Sequence, residues 1–433
     1  MALSPPRRRQ IHVHAAQALK QHRRADPVTV SGQIASHYDR AGVVDEAVRW
    51  YEMAAEASQQ RYASREAVRL LTRALELVRA GDVTPEGRAR ELAIHTAMLT
   101  PVTSVHGYSS RELSEVQRQA TALARELRVD PPPQLLRSIA VASLARDDFD
   151  SARGCGEQLL QRGRADDDDT LVVEGDYVLG IAAFWSGGLD AARHHFEAAV
   201  SRYRTDRRRA HLLRYWLDPQ VVCLSRLGNT LWLLGDEAAA LRARDDALAL
   251  AETIGHEDTL RTALVFATLL ALDMRDVGGV RAYTAALEAG QTDHESRPTR
   301  TATETFRAFV RVLDGAIEPG LARLRVALQE LSEGGHAPGQ RGVTARLLMD
   351  AHAMIGDHRG RLEAADGLLA MGGASVLWEA EAHRARAESL AELGGKPEEV
   401  VAAFERAIAV ARRQGALAFE RRADESLAQY TAR

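Results

Sequence analysis

Residues 179–199 read LGIAAFWSGGLDAARHHFEAA, and they hold the clearest copy of a pattern that recurs along the chain. The small residue Gly180 is followed twelve positions later by Ala192, and then by Phe196 and Ala199. Two antiparallel helices approach closely where small residues face each other, and a large side chain fills the groove beside that contact. The spacing therefore predicts a helical hairpin with Gly180 and Ala192 at the crossing.

The same offsets recur often enough to indicate a solenoid of stacked helical hairpins. Further copies are Ala35 with Ala47, Gly228 with Ala240, Ala267 with Gly279, and Ala308 with Gly320. The first-helix anchors are Ala140, Gly180, Gly228, Ala267, Ala308 and Met349. Their spacings of about 40, 48, 39, 41 and 41 residues exceed the roughly 34 of a tetratricopeptide repeat. We predict an all-α, tetratricopeptide-like solenoid, a right-handed superhelix of about 18–20 helices with lengthened helices or loops.

Composition agrees with this architecture and argues against several functions. The 433 residues are 45% apolar but only 5% aromatic, which fits a core of small residues and helix formers. A formal net charge of −4 argues against general binding of nucleic acid. The longest apolar run is too short to cross a membrane, and Cys155 and Cys223 give no disulfide framework. We expect a cytoplasmic protein without a metal site or another cofactor.

Five longer stretches carry a family resemblance. They are RRRQIHVHAAQAL (7–19), IASHYDRAGVVDEAVRWYEMAAEAS (34–58), REAVRLLTRALELV (65–78), HGYSSREL (106–113) and DPQVVCLSRLGNTLWLLGDEAAALRARDDALALAETIGH (218–256). Together they resemble the C-terminal repeat region of large bacterial signal-transduction ATPases of the STAND/AAA type. The resemblance covers nearly the whole chain and is most specific over residues 218–235.

In that family an ATPase module precedes the repeats, and some members carry a DNA-binding helix-turn-helix. This sequence has no phosphate-binding loop, because Gly395-Lys396 is followed by Pro397 and lies between two predicted helices. The resemblance therefore implies an excised or free-standing effector-binding arm, and it does not extend to ATP hydrolysis. It suggests a linker-like helix at 1–30, N-terminal repeats at 31–130, central repeats at 131–415 and a capping helix at 416–433.

The first helix of each hairpin is expected to line the concave surface of the solenoid. Counting from the anchors places aromatic and arginine side chains there, and these residue types anchor partners at many interfaces. The candidate binding residues are Arg137, Tyr177, Trp185, Asn229, Trp232, Arg261, Phe309 and Arg346. Each aromatic residue taken singly could instead pack between hairpins, since most large side chains in a solenoid belong to its core.

A second candidate site lies in the longest interval, between Gly180 and Gly228. Its residues are Tyr215, Trp216 and Asp218. They precede Pro219, which favours an extended or turn conformation, and an insertion in a repeat often maps to the binding face. Four arginines of the same segment could bind an acidic partner or face solvent: Arg204, Arg207, Arg208 and Arg209.

Two functions follow from these observations. The first is a non-catalytic regulatory scaffold that senses a protein, peptide or small-molecule effector in transcriptional or signalling control. The second is an enzyme, or an accessory subunit, of a specialised biosynthetic pathway with its site in the groove. The sequence contains no nucleophile elbow, metalloprotease motif or dinucleotide-binding turn, which favours the first. The apolar positions Ile11, Val13 and Leu19 of the first helix predict a homodimer.

Overall fold

The computed structural model describes residues 4–22, 27–61, 63–290, 297–332 and 339–432. Within these ranges the chain is α-helical with no strand, which confirms the predicted fold class. The helices are α1 (Pro5–His22), α2 (Ser31–Ala41), α3 (Val44–Gln59), α4 (Ser64–Arg79), α5 (Pro85–His106), α6 (Arg111–Leu127), α7 (Pro133–Ala145), α8 (Phe149–Ala165), α9 (Asp169–Trp185), α10 (Leu189–Arg202), α11 (Arg208–Tyr215), α12 (Pro219–Leu233), α13 (Glu237–Ile254), α14 (Glu257–Asp273), α15 (Val277–Ala289), α16 (Arg297–Leu313), α17 (Ile317–Ser332), α18 (Gln340–Met354), α19 (His358–Met371), α20 (Glu379–Glu392), α21 (Pro397–Gln414) and α22 (Leu417–Thr431).

These 22 helices of the described ranges exceed the 18–20 expected. One reason is the long interval between Gly180 and Gly228, where the inserted segment forms α11 instead of remaining a loop. Three short 3-10 helices complete the described secondary structure, at Pro27–Val30, Thr205–Arg207 and Gly373–Trp378. The last of these lies between α19 and α20, and its Trp378 contacts Trp185.

The chain divides into two compact units. The N-terminal unit comprises Met1–Ser138 with Leu213–Trp216, and the C-terminal unit comprises Ile139–Leu212 with Leu217–Arg433. In the C-terminal unit, successive hairpins pair α9 with α10, α12 with α13, α14 with α15, α16 with α17, and α18 with α19. A further pair joins α20 to α21, and α22 follows it.

The predicted hairpin crossings are present. A Cβ placed on Gly180 would lie 2.6 Å from the ring of Phe196, so only glycine allows α9 and α10 to approach this closely. A Cβ on Gly320 of α17 would lie 2.8 Å from the carbonyl oxygen of Ala308 on α16. The spacing of small residues in the sequence therefore marks the positions where the helices contact each other.

Aspartate side chains cap the N-termini of the second helices in several hairpins. Asp236 accepts a hydrogen bond from the amide of Ala239 at 3.0 Å, and Asp357 accepts one from the amide of Gly360 at 2.9 Å. Such N-caps satisfy amides that have no partner inside the helix and typically contribute about 1 kcal/mol each. The preceding turn is equally regular, because Gly235 adopts the left-handed backbone with φ of 92°. In these hairpins the first helix thus ends, and the second helix begins, at a position that the sequence defines.

The first helices of the C-terminal hairpins form a layer that we call the inner helices: α9, α12, α14, α16, α18 and α20. Successive members contact each other from α9 to α18, and each also contacts the second helix of its own hairpin. Almost every side chain of α9 and α12 is buried, including polar ones such as Glu174 and Thr230. An amphipathic helix covered on one side would leave one face exposed, so these helices are covered on both sides.

The N-terminal helix α1 is docked against the repeats of its own unit. His12 lies 2.9 Å from His37 of α2, and the ammonium group of Lys20 lies 5.4 Å from the ring centre of Trp50 on α3. Of the three apolar residues expected to be exposed, Ile11 is 47% exposed, whereas Val13 and Leu19 are half-buried. The apolar surface left on α1 is therefore small.

Candidate functional site

Trp185, at the end of α9, lies at the centre of the C-terminal unit. Its ring centre is 4.8 Å from that of Phe184 and 5.7 Å from that of Trp378, which belongs to the 3-10 helix before α20. The guanidinium of Arg226 on α12 lies 5.5 Å from the same ring. A Cβ on Gly339 would come within 2.3 Å of the indole. Side chains of this chain therefore surround Trp185 closely.

Trp232, one hairpin further along, meets the C-terminal helix. Its ring centre lies 5.9 Å from that of Phe419 on α22. The guanidinium of Arg422, one turn later on α22, lies 4.8 Å from the Trp232 ring centre. Cations are attracted to the face of an indole ring, and the attraction strengthens when water is excluded. The inner surface at Trp232 is thus occupied by α22.

The remaining inner residues predicted from the anchors are buried in contacts between helices. With its amide oriented to satisfy both groups, Asn229 donates to the carbonyl of Ser225 and accepts from the amide of Leu270 on α14. Arg261 donates to the carbonyl of Leu287 on α15 at 3.3 Å. Tyr177 and Phe309 are likewise buried. In this conformation none of these four side chains offers a free surface to a partner.

Arg137 belongs to the N-terminal unit, whereas the other seven residues of the first candidate set belong to the C-terminal unit. It lines a small cavity of about 20 Å³ together with Tyr215 and Trp216 of the second candidate site. The ring centre of Trp216 lies 5.7 Å from that of Tyr108. The structure therefore joins one member of the first candidate set to two members of the second, a grouping that sequence spacing did not predict.

Asp218, the third residue of the second candidate site, caps α12 from a fully buried position. Its carboxylate accepts hydrogen bonds from the amide of Val221 at 3.1 Å, the hydroxyl of Tyr203 at 3.0 Å and Nε of Arg208 at 2.8 Å. Its own amide donates to the hydroxyl of Thr259. Asp218 has the extended backbone expected before Pro219, and its carboxylate gives the half-buried Arg208 a partner within the chain.

The feature that sequence reasoning largely missed is a set of buried and half-buried ion pairs that joins inner helices to α19 and α22. We call it the charged network, and it consists of Asp273, Arg346, Asp350, Arg361, Glu381, Arg384, Glu388 and Arg422. Of these residues, only Arg346 is among the candidate binding residues predicted from the sequence. The others escaped notice because charged residues on a predicted helix ordinarily lie on its solvated face.

Two arginines contact all four carboxylates of the charged network. Arg346 on α18 lies 3.3 Å from Asp273 and 2.7 Å from Asp350. Arg384 on α20 lies 2.9 Å from Glu381 and also contacts Glu388. Two carboxylates around each guanidinium use its planar fork of donors, which is why arginine suits such sites better than lysine.

Burial and charge displace the pKa values of the acids in opposite directions. Burial raises the pKa of Asp273 to about 6, although Arg346 and Arg422 oppose the shift. Burial also acts to raise the pKa of Glu381, but the surrounding arginines, Arg384 above all, outweigh it and hold that pKa well below its ordinary value. The difference follows from the closer and more numerous contacts that Glu381 makes with guanidinium groups.

Outside the network, a cleft of about 390 Å³ opens between α17, α18 and α19. Its polar side is formed by His352 and Asp357, whose side chains lie 2.8 Å apart, and its apolar side includes Leu328 and Leu368. Asp357 also caps α19, so its carboxylate already has structural partners. Across the part of the chain that the structure describes, no group of three or more His, Cys, Asp or Glu side chains is arranged to hold a metal ion. Nor is any helix of that part long and apolar enough to cross a membrane.

Comparison with known sequences gives one informative relative. An uncharacterized protein of Rhizobium meliloti (strain 1021) is 23% identical over 427 residues, which cover 97% of this chain. The chain spans 41% of the length of that relative, so it is similar to one part of a longer protein. No protein-family model matches the chain.

Comparison with solved structures identifies the repeat fold. A Rap protein complexed with competence and sporulation factor superposes with a TM-score of 0.58 at 9% identity, covering 85% of this chain and 98% of that one. The Cut9–Hcn1 hetero-tetramer of the APC/C gives a TM-score of 0.45 at 13% identity, covering 93% of this chain and 76% of that one. The first likeness shows a shared tetratricopeptide-like helical fold, and at such low identity it shows the fold alone.

Proposed function

We propose that this protein is a regulatory scaffold that binds a protein, peptide or small effector against the inner helices of its C-terminal unit. The charged network carries this proposal. Burying ion pairs costs desolvation, so a core of apolar side chains would often be as stable or more stable. A charged network that is retained in spite of this desolvation cost suits a binding surface. Its charged groups give specificity, and a ligand can replace the ion pairs that its binding breaks.

Access to the network exists at two carboxylates. Asp350 and Glu388 keep 27% and 28% of their side-chain surface exposed, whereas Asp273 and Glu381 are buried. An effector with basic or amide groups would reach these two carboxylates first. Under this proposal Trp185, Trp232 and Arg346 shape the inner surface, and Tyr177, Asn229, Arg261 and Phe309 hold the helices that carry it.

The likeness to other proteins supports a binding role by analogy. The Rap protein of similar fold is complexed with a competence and sporulation factor. The sequence resemblance to effector-binding arms of signal-transduction ATPases points the same way, towards signalling or transcriptional control in the cytoplasm. An effector acts on such an arm only through different affinities for two conformations. A switch of this kind requires an element that can move between two positions. The helix α22, which covers Trp232, is the best candidate for that element.

Native mass spectrometry of the protein purified from its own host tests this proposal. We expect a bound peptide, protein or small molecule of defined mass. Asp350→Asn combined with Glu388→Gln should reduce its occupancy at least fivefold. Asp366→Asn, at an exposed ion pair with Arg386, is the matched control and should leave the occupancy unchanged. A bare chain under all conditions, or equal loss in the control, would contradict the proposal.

Self-association is a separate part of the proposal. Because Ile11 is the most exposed apolar side chain of α1, Ile11→Ser should shift a monomer–dimer equilibrium towards monomer if α1 forms the contact. Analytical ultracentrifugation of the two chains at matched concentrations measures this shift directly. The same distribution for both would exclude α1 as the dimer contact.

A further inference from the structure

The end of α21 and the helix α22 together reach the ends of three inner helices, α9, α12 and α14. Gln414, the last residue of α21, approaches the turn after α9 so closely that a Cβ on Gly187 would lie 3.0 Å from its Nε2. Leu417 approaches the turn after α12, where a Cβ on Gly235 would lie 3.3 Å from its Cβ. Arg422 then reaches the last residue of α14, Asp273. In addition to stacking on α20 and α21, α22 therefore contacts hairpins that lie about 150 to 180 residues earlier in the chain.

Arg422 occupies a site that is built for a guanidinium group. It donates to the backbone carbonyl of Asp273, one of the carbonyls that a helix leaves unsatisfied at its C-terminus. Its other contacts are the face of the Trp232 indole and, at 3.6 Å, the carboxylate of Glu381. A helix C-terminus, an aromatic face and a carboxylate all favour a cation. We call this site, formed by Trp232, Asp273 and Glu381, the arginine seat.

Charge balance shows that the seat depends on α22. The charged network contains four carboxylates and four arginines, and Arg422 is the one arginine that α22 supplies. Without α22, Glu381 would lose one of its two arginine partners, so the charge of this buried carboxylate would be less well compensated. Such a charge is costly unless a cation replaces Arg422. The surface that becomes exposed when α22 leaves is therefore selective for a basic partner.

The attachment of α22 is light compared with that of its neighbour. Only Phe419 and Ala423 are buried in α22, whereas α21 buries eight residues. Its connection to α21 is the pair Gly415–Ala416, and Gly415 has φ of 70°, a conformation that glycine leaves at little cost. The other contacts of α22 are those of the partly buried Leu427 and Tyr430 with α21 and two polar pairs at its surface, Glu420 with Arg412 and Ser426 with Glu388. A helix that buries only two side chains and is joined by a two-residue hinge can leave its place without unfolding the stack.

From these observations we propose that α22 is a built-in competitor for the arginine seat, which binds a partner helix with an aromatic residue followed three positions later by arginine. This inference rests on the proposed function and specifies its partner. Phe419 and Arg422 are three positions apart and so lie on the same face of α22, and a partner helix with this spacing would present the same pair. Binding of the partner would release α22, which makes the exchange a signal.

The test uses the full chain and a labelled synthetic peptide of residues 417–431, LAFERRADESLAQYT, in fluorescence anisotropy titrations. The covalent tether gives α22 an effective concentration of order millimolar, so the wild-type chain should bind the peptide poorly. The variant Phe419→Ala/Arg422→Ala should bind it at least tenfold more tightly, because its own α22 no longer competes. A peptide carrying Arg422→Ala should bind this variant at least tenfold more weakly than the wild-type peptide.

Arg421 provides the matched control, since it is adjacent in sequence but exposed. A peptide with Arg421→Ala should bind like the wild-type peptide. A folded double variant that gains no binding, or equal binding of the two arginine-substituted peptides, would overturn the proposal. It would also be overturned if the wild-type chain proved to be a dimer that Arg422→Ala dissolves, because the seat would then hold α22 of a second copy.

A milder substitution covers the case in which the double variant does not fold. Arg422→Lys keeps the charge but loses the planar fork, so it should weaken α22 without emptying the seat. We expect a gain in peptide binding between those of wild type and of the double variant, and no gain would overturn the proposal. If peptide binding fails while the host-purified protein still carries a partner, the arginine seat is refuted and the scaffold function stands.

Discussion

The Arg69–Glu66 pair of the N-terminal unit and the Arg384–Glu381 pair of the C-terminal unit have the same spacing along a helix and nearly the same geometry. Nε lies 2.8 Å from the carboxylate in the first and 2.9 Å in the second. The side chains of the first pair are 70% and 44% exposed, and those of the second are 7% and 2% exposed. Identical local sequence signals thus produce a surface pair in one unit and a buried network in the other.

The largest expected difference follows from removing the arginine of each pair. Arg384→Ala would leave the buried Glu381 with only the more distant Arg422 as a partner, and we expect it to lower the free energy of unfolding by about 3–5 kcal/mol. Arg69→Ala should cost only about 0–1 kcal/mol, because water solvates Glu66 once the pair is lost. Urea denaturation of the two variants and the wild type measures both values. Equal losses would show that Glu381 is not buried as described.

Packing inside the C-terminal unit gives the next largest effect. An alanine at Gly339 would place its Cβ within 2.3 Å of the Trp185 ring, whereas nothing lies within 4 Å of a Cβ at Gly356. Both glycines have positive φ, so Gly→Ala carries a similar backbone cost of roughly 1–2 kcal/mol at each. Gly339→Ala should cost about 1–3 kcal/mol more than Gly356→Ala because of overpacking. Thermal unfolding of the two variants compares them, and similar losses would contradict the packing around Trp185.

The smallest of the three effects is a dependence on pH. Burial raises the pKa of Asp273 from 3.8 to about 6, so the folded chain holds this proton more tightly than the unfolded chain does. The contribution of Asp273 to stability must therefore increase as pH falls from about 6 towards 4. Between pH 7 and pH 5, wild type should gain about 1 kcal/mol relative to Asp273→Asn. Asp314→Asn, at an exposed pair with Arg281, is the control, and a gain of the same size there would refute the assignment to Asp273.

Sequence alone predicted the all-α class and the hairpin crossings, because Gly180 and Ala192 mark helix contact through their size. It also placed Trp185, Trp232 and Arg346 on the inner helices. Periodicity could not show that α22 and the 3-10 helix at Gly373–Trp378 cover these residues, because that contact joins segments far apart in the chain. For the same reason, nothing local distinguishes half-buried Arg422 from exposed Arg421.

The central claim is that α22 seats Arg422 against the inner helices, and a double-mutant cycle between Arg422 and Glu381 tests it most directly. The cycle compares the free energies of unfolding of wild type, Arg422→Met, Glu381→Gln and the double variant, which isolates the energy of the pair. Seated as described, the two side chains should couple by about 1–3 kcal/mol. A coupling energy within about 0.3 kcal/mol of zero would mean that the two residues act independently, and it would contradict the account.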